Sequence, residues 1–204
     1  MHTLERVKII GLTGQSGSGK STVSDIFSDN GFIRIDADAV SRHVAGNPAF
    51  LDEAKLLYPD CVNDDGLDRK KLASIVFADE EKLIEYTSII FPYIVQNIFD
   101  LIRDAADRGA CYILLDAPTL FESGLDDICN VIVSVTAPYD ILVDRIIRRD
   151  GINEDMAKLR LSAMKSAEGY ISRSDYCISN SGTLDKLREC VLSIITQIKD
   201  RFNV

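Results

Sequence analysis

The chain has 204 residues, 46% of them hydrophobic and 27% charged, and carries a formal net charge of −9. That length and apolar content suit one domain with a sizeable core, and no apolar run reaches the ~20 residues that a bilayer-spanning helix needs. An acidic surface repels nucleic acid and anionic membranes unless basic residues are gathered locally, so neither partner is expected, and a small anionic substrate would need a focused cluster of Arg and Lys.

Taken in chain order, Met1–Lys8 is too charged for the apolar region of a signal peptide, and a cytoplasmic protein is expected. The run Val7–Leu12 predicts a strand buried on both faces. Gly14-Gln15-Ser16-Gly17-Ser18-Gly19-Lys20-Ser21 follows it, with Thr22 next. This is a phosphate-binding loop set between a strand and a helix. Gly14, Gly17 and Gly19 let the backbone bend so that successive N–H groups point at one anion. Lys20 can reach the β- and γ-phosphates, the Ser21 hydroxyl can ligate Mg²⁺, and the helix from Lys20 to about Phe27 adds the positive end of its dipole. The other reading, a Gly/Ser-rich surface turn, leaves the spacing unexplained.

Phe32–Ile35 predicts a second strand, ending on Asp36-Ala37-Asp38. Asp38 can orient an acceptor hydroxyl or take its proton, or it can cap a helix. A helical insert over about 38–109 follows. Within it Asp79–Ala105 is helix-like, and Pro92 should kink or split it. Cys111–Leu115 predicts the third strand, and Asp116 at its end can hold Mg²⁺ or serve as a turn residue before Pro118. Leu120–Gly124 reads as a loop entering a helix, and chemistry alone assigns Glu122 no role. After the strand Val131–Val135, Arg145, Arg148 and Arg149 share one helix face. They can clamp phosphate or pair with Asp140, Asp144 and Asp150. The polar stretch 149–173 can act as a lid that excludes water. Tyr176–Ile178 is the fifth strand, and Asn180-Ser181-Gly182-Thr183 is a turn that could also contact an adenine ring. The last helix, Leu184 to Arg201, buries a stripe of Leu187, Val191, Ile194, Ile195 and Ile198.

The five cysteines and the two histidines, His2 and His43, have no metal-like spacing. The order β–α–β, insert, β–α–β–α–β–α predicts a doubly wound α/β fold on a parallel five-stranded sheet, with ligands beyond the carboxyl ends of the strands.

At this point the chain resembles the dephospho-coenzyme A kinases, P-loop kinases with a nucleoside-monophosphate-kinase-like fold. The likeness rests on residues 11–21, Asp36-Ala-Asp38, Gly66-Leu-Asp-Arg-Lys-Lys-Leu72, Pro118-Thr-Leu-Phe-Glu122, Arg145 with Arg149-Asp150, Arg160, and Asp175-Tyr-Cys-Ile-Ser-Asn180. It implies ATP- and Mg²⁺-dependent phosphorylation of the ribose 3′-hydroxyl of dephospho-CoA. It also implies a single domain over 1–204, with an acceptor-binding insert and a lid, active as a monomer or weak homo-oligomer. By position, Asp38 would activate the hydroxyl, Lys20 and Ser21 would hold phosphates and metal, Arg145 and Arg149 would serve the lid and phosphates, and Asn180 would lie near the adenine. The family usually has His-Pro followed two residues on by Arg, where this chain has Phe91-Pro92-Tyr93-Ile94-Val95. Met164 stands where Gln is frequent and Tyr170 where Lys or Arg is common. These changes leave room for a different small hydroxylated acceptor, such as a nucleoside or nucleotide. A nucleotide-dependent switch is the rival from another class, although no Asn here is followed by Lys.

Overall fold

The computed structural model describes residues 6–63, 65–162 and 164–202, so His2 lies outside the described residues. The five apolar runs form β1 (Lys8–Gly14), β2 (Ile33–Asp36), β5 (Tyr112–Asp116), β6 (Val131–Thr136) and β7 (Tyr176–Ser179), in one sheet of order β2-β5-β1-β6-β7. The ladders of β1 with β5, β1 with β6 and β6 with β7 are parallel. In the register Leu12 sits opposite Asp116 and Val133, so the end of β1 lies between the ends of two neighbours. The chain leaves β1 toward one side of the sheet and later builds β6 and β7 on the other. The end of β1 is therefore the switch point where doubly wound sheets place their ligands.

Helix α1 (Lys20–Asp29) and the long C-terminal helix (Leu184–Phe202) pack together on the sheet. Ile10, Leu12, Val133 and Val135 from the sheet meet Val23, Ile26 and Phe27 from α1 and Val191, Ile194, Ile195 and Ile198 from the last helix. The expected apolar stripe is thus core. At ~25 cal/mol per Å² of apolar surface removed from water, residues of this size each contribute ~1.5–3 kcal/mol before conformational entropy is charged against them.

The chain divides into two compact units, residues 1–35 with 104–204, and residues 36–103. The second unit contains α2 (Ala37–Val44), α3 (Pro48–Leu57), the two-residue strands β3 (Val62–Asn63) and β4 (Gly66–Leu67), α4 (Arg69–Val76) and most of α5 (Glu80–Asp107). The motif beginning at Gly66 is structural here. Leu67 pairs with Val62, the Asp68 carboxylate caps α4 by accepting from Lys71 N at 3.0 Å, and Leu72 and Val76 join Tyr58 and Cys61 in a small core.

One expectation fails, and of the kink or split expected at Pro92 the split does not occur. The β5–β6 connection contains no α-helix, only a 3-10 turn at Leu125–Ile128 entered through Gly124 in the left-handed region. Buried Leu120, Phe121 and Leu125 hold it tight. Nor does Pro92 split α5, which runs unbroken for 28 residues. Ile90, Ile94, Ile98 and Ile102 recur every four residues and are all buried, and this stripe outweighs the one donor that the proline removes. The remaining helices are α6 (Tyr139–Asp150), α7 (Glu154–Ser162) and α8 (Ala167–Ile171), and the C-terminal helix is α9.

Candidate active site

The loop between β1 and α1 owes its path to its glycines. A Cβ on Gly14 would lie 2.2 Å from the Val135 carbonyl oxygen, and one on Gly19 would lie 2.3 Å from Asn180 Nδ2. Gly19 also has φ 93°, where an L side chain is strained. Gln15 N donates to Val135 O at 3.3 Å and Ser18 N to Gln15 O at 3.1 Å, which closes the turn. Lys20, Ser21 and Thr22 form the first turn of α1, where main-chain N–H groups lack intrahelical acceptors. That turn carries no acidic residue, so no side chain of its own offsets the positive end of the helix. The Gln15, Ser16 and Ser18 N–H groups are committed within the fold, and the first-turn amides of α1 are the ones suited to an anion.

Side chains from three other elements converge on this loop. From α6, Arg145 Nη1 donates to the carbonyls of Gly17 at 3.3 Å and Ser18 at 3.4 Å, and Arg149 Nη2 donates to Ser16 Oγ at 3.1 Å. The Arg149 guanidinium also grips Asp150 at 2.8 and 2.9 Å and holds that carboxyl below the usual carboxylate range. Arg160 pairs with the same carboxylate. Arg148 instead pairs with Asp144 at 3.0 Å on the exposed face. The structure thus separates the arginines: Arg145 and Arg149 reach the loop, and Arg148 is a solvated helix residue. From the end of β7, buried Asn180 donates Nδ2 to the Ser18 carbonyl at 2.8 Å, which ties the loop down.

Asp116, at the end of β5, is 1% exposed. Its Oδ1 pairs with the Lys20 ammonium, and its Oδ2 lies 2.6 Å from Arg34 Nη2. Sequence reasoning missed Arg34. The available signal was a cation inside an otherwise apolar strand, two residues before Asp36. Asp38 lies in the other compact unit, exposed in the first turn of α2. The cap of that helix is Asp36, whose Oδ1 accepts from Ala39 N at 3.0 Å. The capping reading of Asp38 therefore falls away, because its neighbour does that work.

Ser21 and Asp116 offer hard oxygen donors of the kind that Mg²⁺ takes. Among the described residues no cluster of three His, Cys, Asp or Glu side chains could hold an ion. A metal here would take its remaining ligands from a bound nucleotide and water.

Between α7 and α8 the chain touches the loop. Met164 Sδ accepts from Ser16 N at 3.3 Å, and Lys165 Nζ lies 2.7 Å from Glu122 Oε1, which gives Glu122 the partner that the sequence could not name. Tyr170 is 2% exposed and packs on Phe121, so it belongs to the core where the family commonly has a cation. A cavity of about 530 Å³, lined by Gln15, Pro138, Tyr139, Leu142, Met164 and Ala167 among others, adjoins the loop.

The family model for dephospho-CoA kinase matches residues 8–186. A dephospho-CoA kinase from Carboxydothermus hydrogenoformans is 36% identical over 194 residues, covering 94% of each chain. A crystal structure of TT1252 from Thermus thermophilus superposes with TM-score 0.83 at 29% identity, covering 94% of this chain and 98% of its own. A shikimate kinase from Acinetobacter baumannii, at 13% identity and TM-score 0.51 over 97% and 96% of the two chains, shares the fold alone. With the loop, its three converging elements and a match over nearly the whole length, the chain belongs to the dephospho-CoA kinase family, kinases whose acceptor is a hydroxyl group.

Proposed function

We propose that this chain transfers the γ-phosphoryl group of ATP to the ribose 3′-hydroxyl of dephospho-CoA, giving ADP and coenzyme A, the last step of coenzyme A synthesis. The observation that carries the reading is the glycine loop with Lys20 and two arginines gathered on it, in a chain whose residues 8–186 match that family. The first-turn amides of α1 and Lys20 grip the β- and γ-phosphates. Arg145 and Arg149 neutralise the charge that moves to the leaving oxygen. Asp38 orients the 3′-hydroxyl and receives its proton as the oxygen attacks phosphorus and the bond to ADP breaks. A carboxylate is a weak base toward an alcohol, but a loose transition state asks little of it beyond alignment. The Ser21 hydroxyl and Asp116, directly or through water, would hold a Mg²⁺ that arrives with the nucleotide, and it would supply further neutralisation of phosphate charge.

In the same reading the chain acts as one kinase domain. Its 36–103 unit takes the acceptor, residues 149–173 cover ATP, Asn180 lies near the adenine while it braces the loop, and the enzyme works as a monomer or weak homo-oligomer. A reducing cytoplasm suits its cysteines, since Cys61, Cys111, Cys129, Cys177 and Cys190 are all free thiols. Among the described residues no helix is long and apolar enough to cross a membrane.

An ADP-release assay with ATP, Mg²⁺ and dephospho-CoA tests the reaction, and a panel of nucleosides and nucleotides tests the acceptor. Asp38→Asn is expected to lower kcat about a hundredfold or more while ATP affinity stays within about twofold. An equal loss in both would remove Asp38 from the chemistry.

A further inference from the structure

The Lys20 ammonium has three donors to share among the anions it meets, so each donor turned to phosphate loosens its hold on a carboxylate. In the structure its ammonium pairs with Asp116 Oδ1, whereas the proposed reaction needs it on a phosphate. Asp116 is 1% exposed, so water cannot replace a lost partner there, and an unpaired buried carboxylate is costly. The second oxygen of Asp116 already has a different cation, Arg34 Nη2 at 2.6 Å. Arg34 is placed on β2, and its Nη1 lies 3.4 Å from Asp25 Oδ1 on α1. The Arg34–Asp116 contact is an ion pair without hydrogen-bond geometry, since Asp116 Oδ2 accepts no hydrogen bond, but a guanidinium does not lose its proton and so remains a counter-ion to the carboxylate.

We infer that Arg34 is a positioning residue for ATP binding: it is the standing counter-ion of Asp116, and it lets Lys20 leave that carboxylate for the nucleotide. Arg34 acts through Asp116 and has no need to touch ATP. The inference rests on the reading that Lys20 binds phosphate.

The test measures ATP affinity by calorimetry in EDTA, so that no metal role of Asp116 enters, alongside steady-state kinetics with Mg²⁺. Wild type is compared with Lys20→Ala, Arg34→Leu, Arg34→Lys and the double variant Arg34→Leu/Asp116→Asn. Arg34→Gln replaces Arg34→Leu if the leucine variant does not melt cooperatively. Arg34→Leu is expected to weaken ATP binding about tenfold, discounted from a fully buried pair because Arg34 is partly exposed. It raises KM for ATP and leaves KM for dephospho-CoA unchanged. Arg34→Lys keeps affinity within about threefold. In EDTA the double variant returns close to wild type in ATP affinity alone, because a neutral amide needs no counter-ion; its Mg²⁺-dependent turnover is expected to fall. Wild-type affinity in Arg34→Leu overturns the inference, and so does a double variant as weak as the single one, since Arg34 would then act on the fold and not through Asp116. If Lys20→Ala binds ATP as wild type does, the phosphate reading of Lys20 fails and this inference falls with it. If Lys20→Ala loses binding while Arg34→Leu does not, only the inference falls.

Discussion

Asn180 sits so close to Gly19 that a single methyl group on the glycine would collide with it. The contact serves the loop: the Asn180 amide satisfies the Ser18 carbonyl in a buried place where water cannot. Asn180→Ala should therefore cost about 1–2 kcal/mol through the orphaned carbonyl. Thermal melting should show a fall of about 2–8 °C for a chain of this length, together with weaker ATP binding. An unchanged melting temperature would mean that the loop holds its shape without the brace. Gly19→Ala should lose ATP affinity more severely, and removing Asn180 in the same chain should not restore it, because the backbone at φ 93° is strained for alanine whatever stands opposite. At this scale the sequence showed which residues make the loop, because the glycine spacing is itself the mechanism. It hid the pairings across the fold. Nothing in the linear order of Asp116, Arg34 and Lys20 says that one carboxylate takes two cations, and nothing near Glu122 points to Lys165, 43 positions away.

Each of the five sheet strands was legible as an apolar run, but the runs stop short. The ladder continues through Thr13 and Gly14, Asp36, Asp116, Thr136 and Ser179, polar or small residues at the carboxyl ends. Hydrophobic patterning fades where the sheet meets its ligands, so the residues that carry chemistry are the ones that periodicity trims away. The hairpin of β3 and β4 escaped notice for a different reason, since two-residue strands have no period to read. Pro92 is the clearest conflict between local preference and the fold. A proline inside a helix costs ~3 kcal/mol relative to alanine, yet α5 passes through it. Its ring is exposed, so little packing depends on it. Pro92→Ala should restore the missing donor and stabilise the protein by about 2 kcal/mol, after ~0.4–1 kcal/mol is given back through a freer unfolded chain. Calorimetry should show a higher melting temperature. A lower one would mean that the helix is bent around the ring and that its neighbours fit the bend.

Two chemically distinct probes report on the molecule as a whole. Cys111, Cys177 and Cys190 are exposed, Cys61 is buried, and burial with help from Asp126 pushes the Cys129 thiol up to about 12. Iodoacetamide at pH 8 should modify the three exposed thiols first and reach Cys61 and Cys129 only on unfolding. Early labelling of Cys129 would show that the turn over it opens in the native state. The tyrosines answer at the alkaline end. Burial, and then the nearby Glu122 carboxylate, push Tyr170 up to about 12, against ~10 in an unfolded chain. The folded state therefore keeps this proton when the unfolded state has released it. Below pH 10 both forms are neutral and the contribution to stability is complete. Between pH 10 and 12 the unfolded state binds fewer protons, so stability falls as pH rises and the contribution is gone once the pH passes the folded value. The loss is on the order of 2 kcal/mol. Denaturant melts at pH 9, 10 and 11 should show the decline, and Tyr170→Phe, which keeps the ring against Phe121 and removes the ionising oxygen, should flatten its share of it. If the phenylalanine variant declines as steeply as wild type, Tyr170 ionises at its ordinary pH, and the stretch from 149 to 173 lies more open to water than its packing on Phe121 implies.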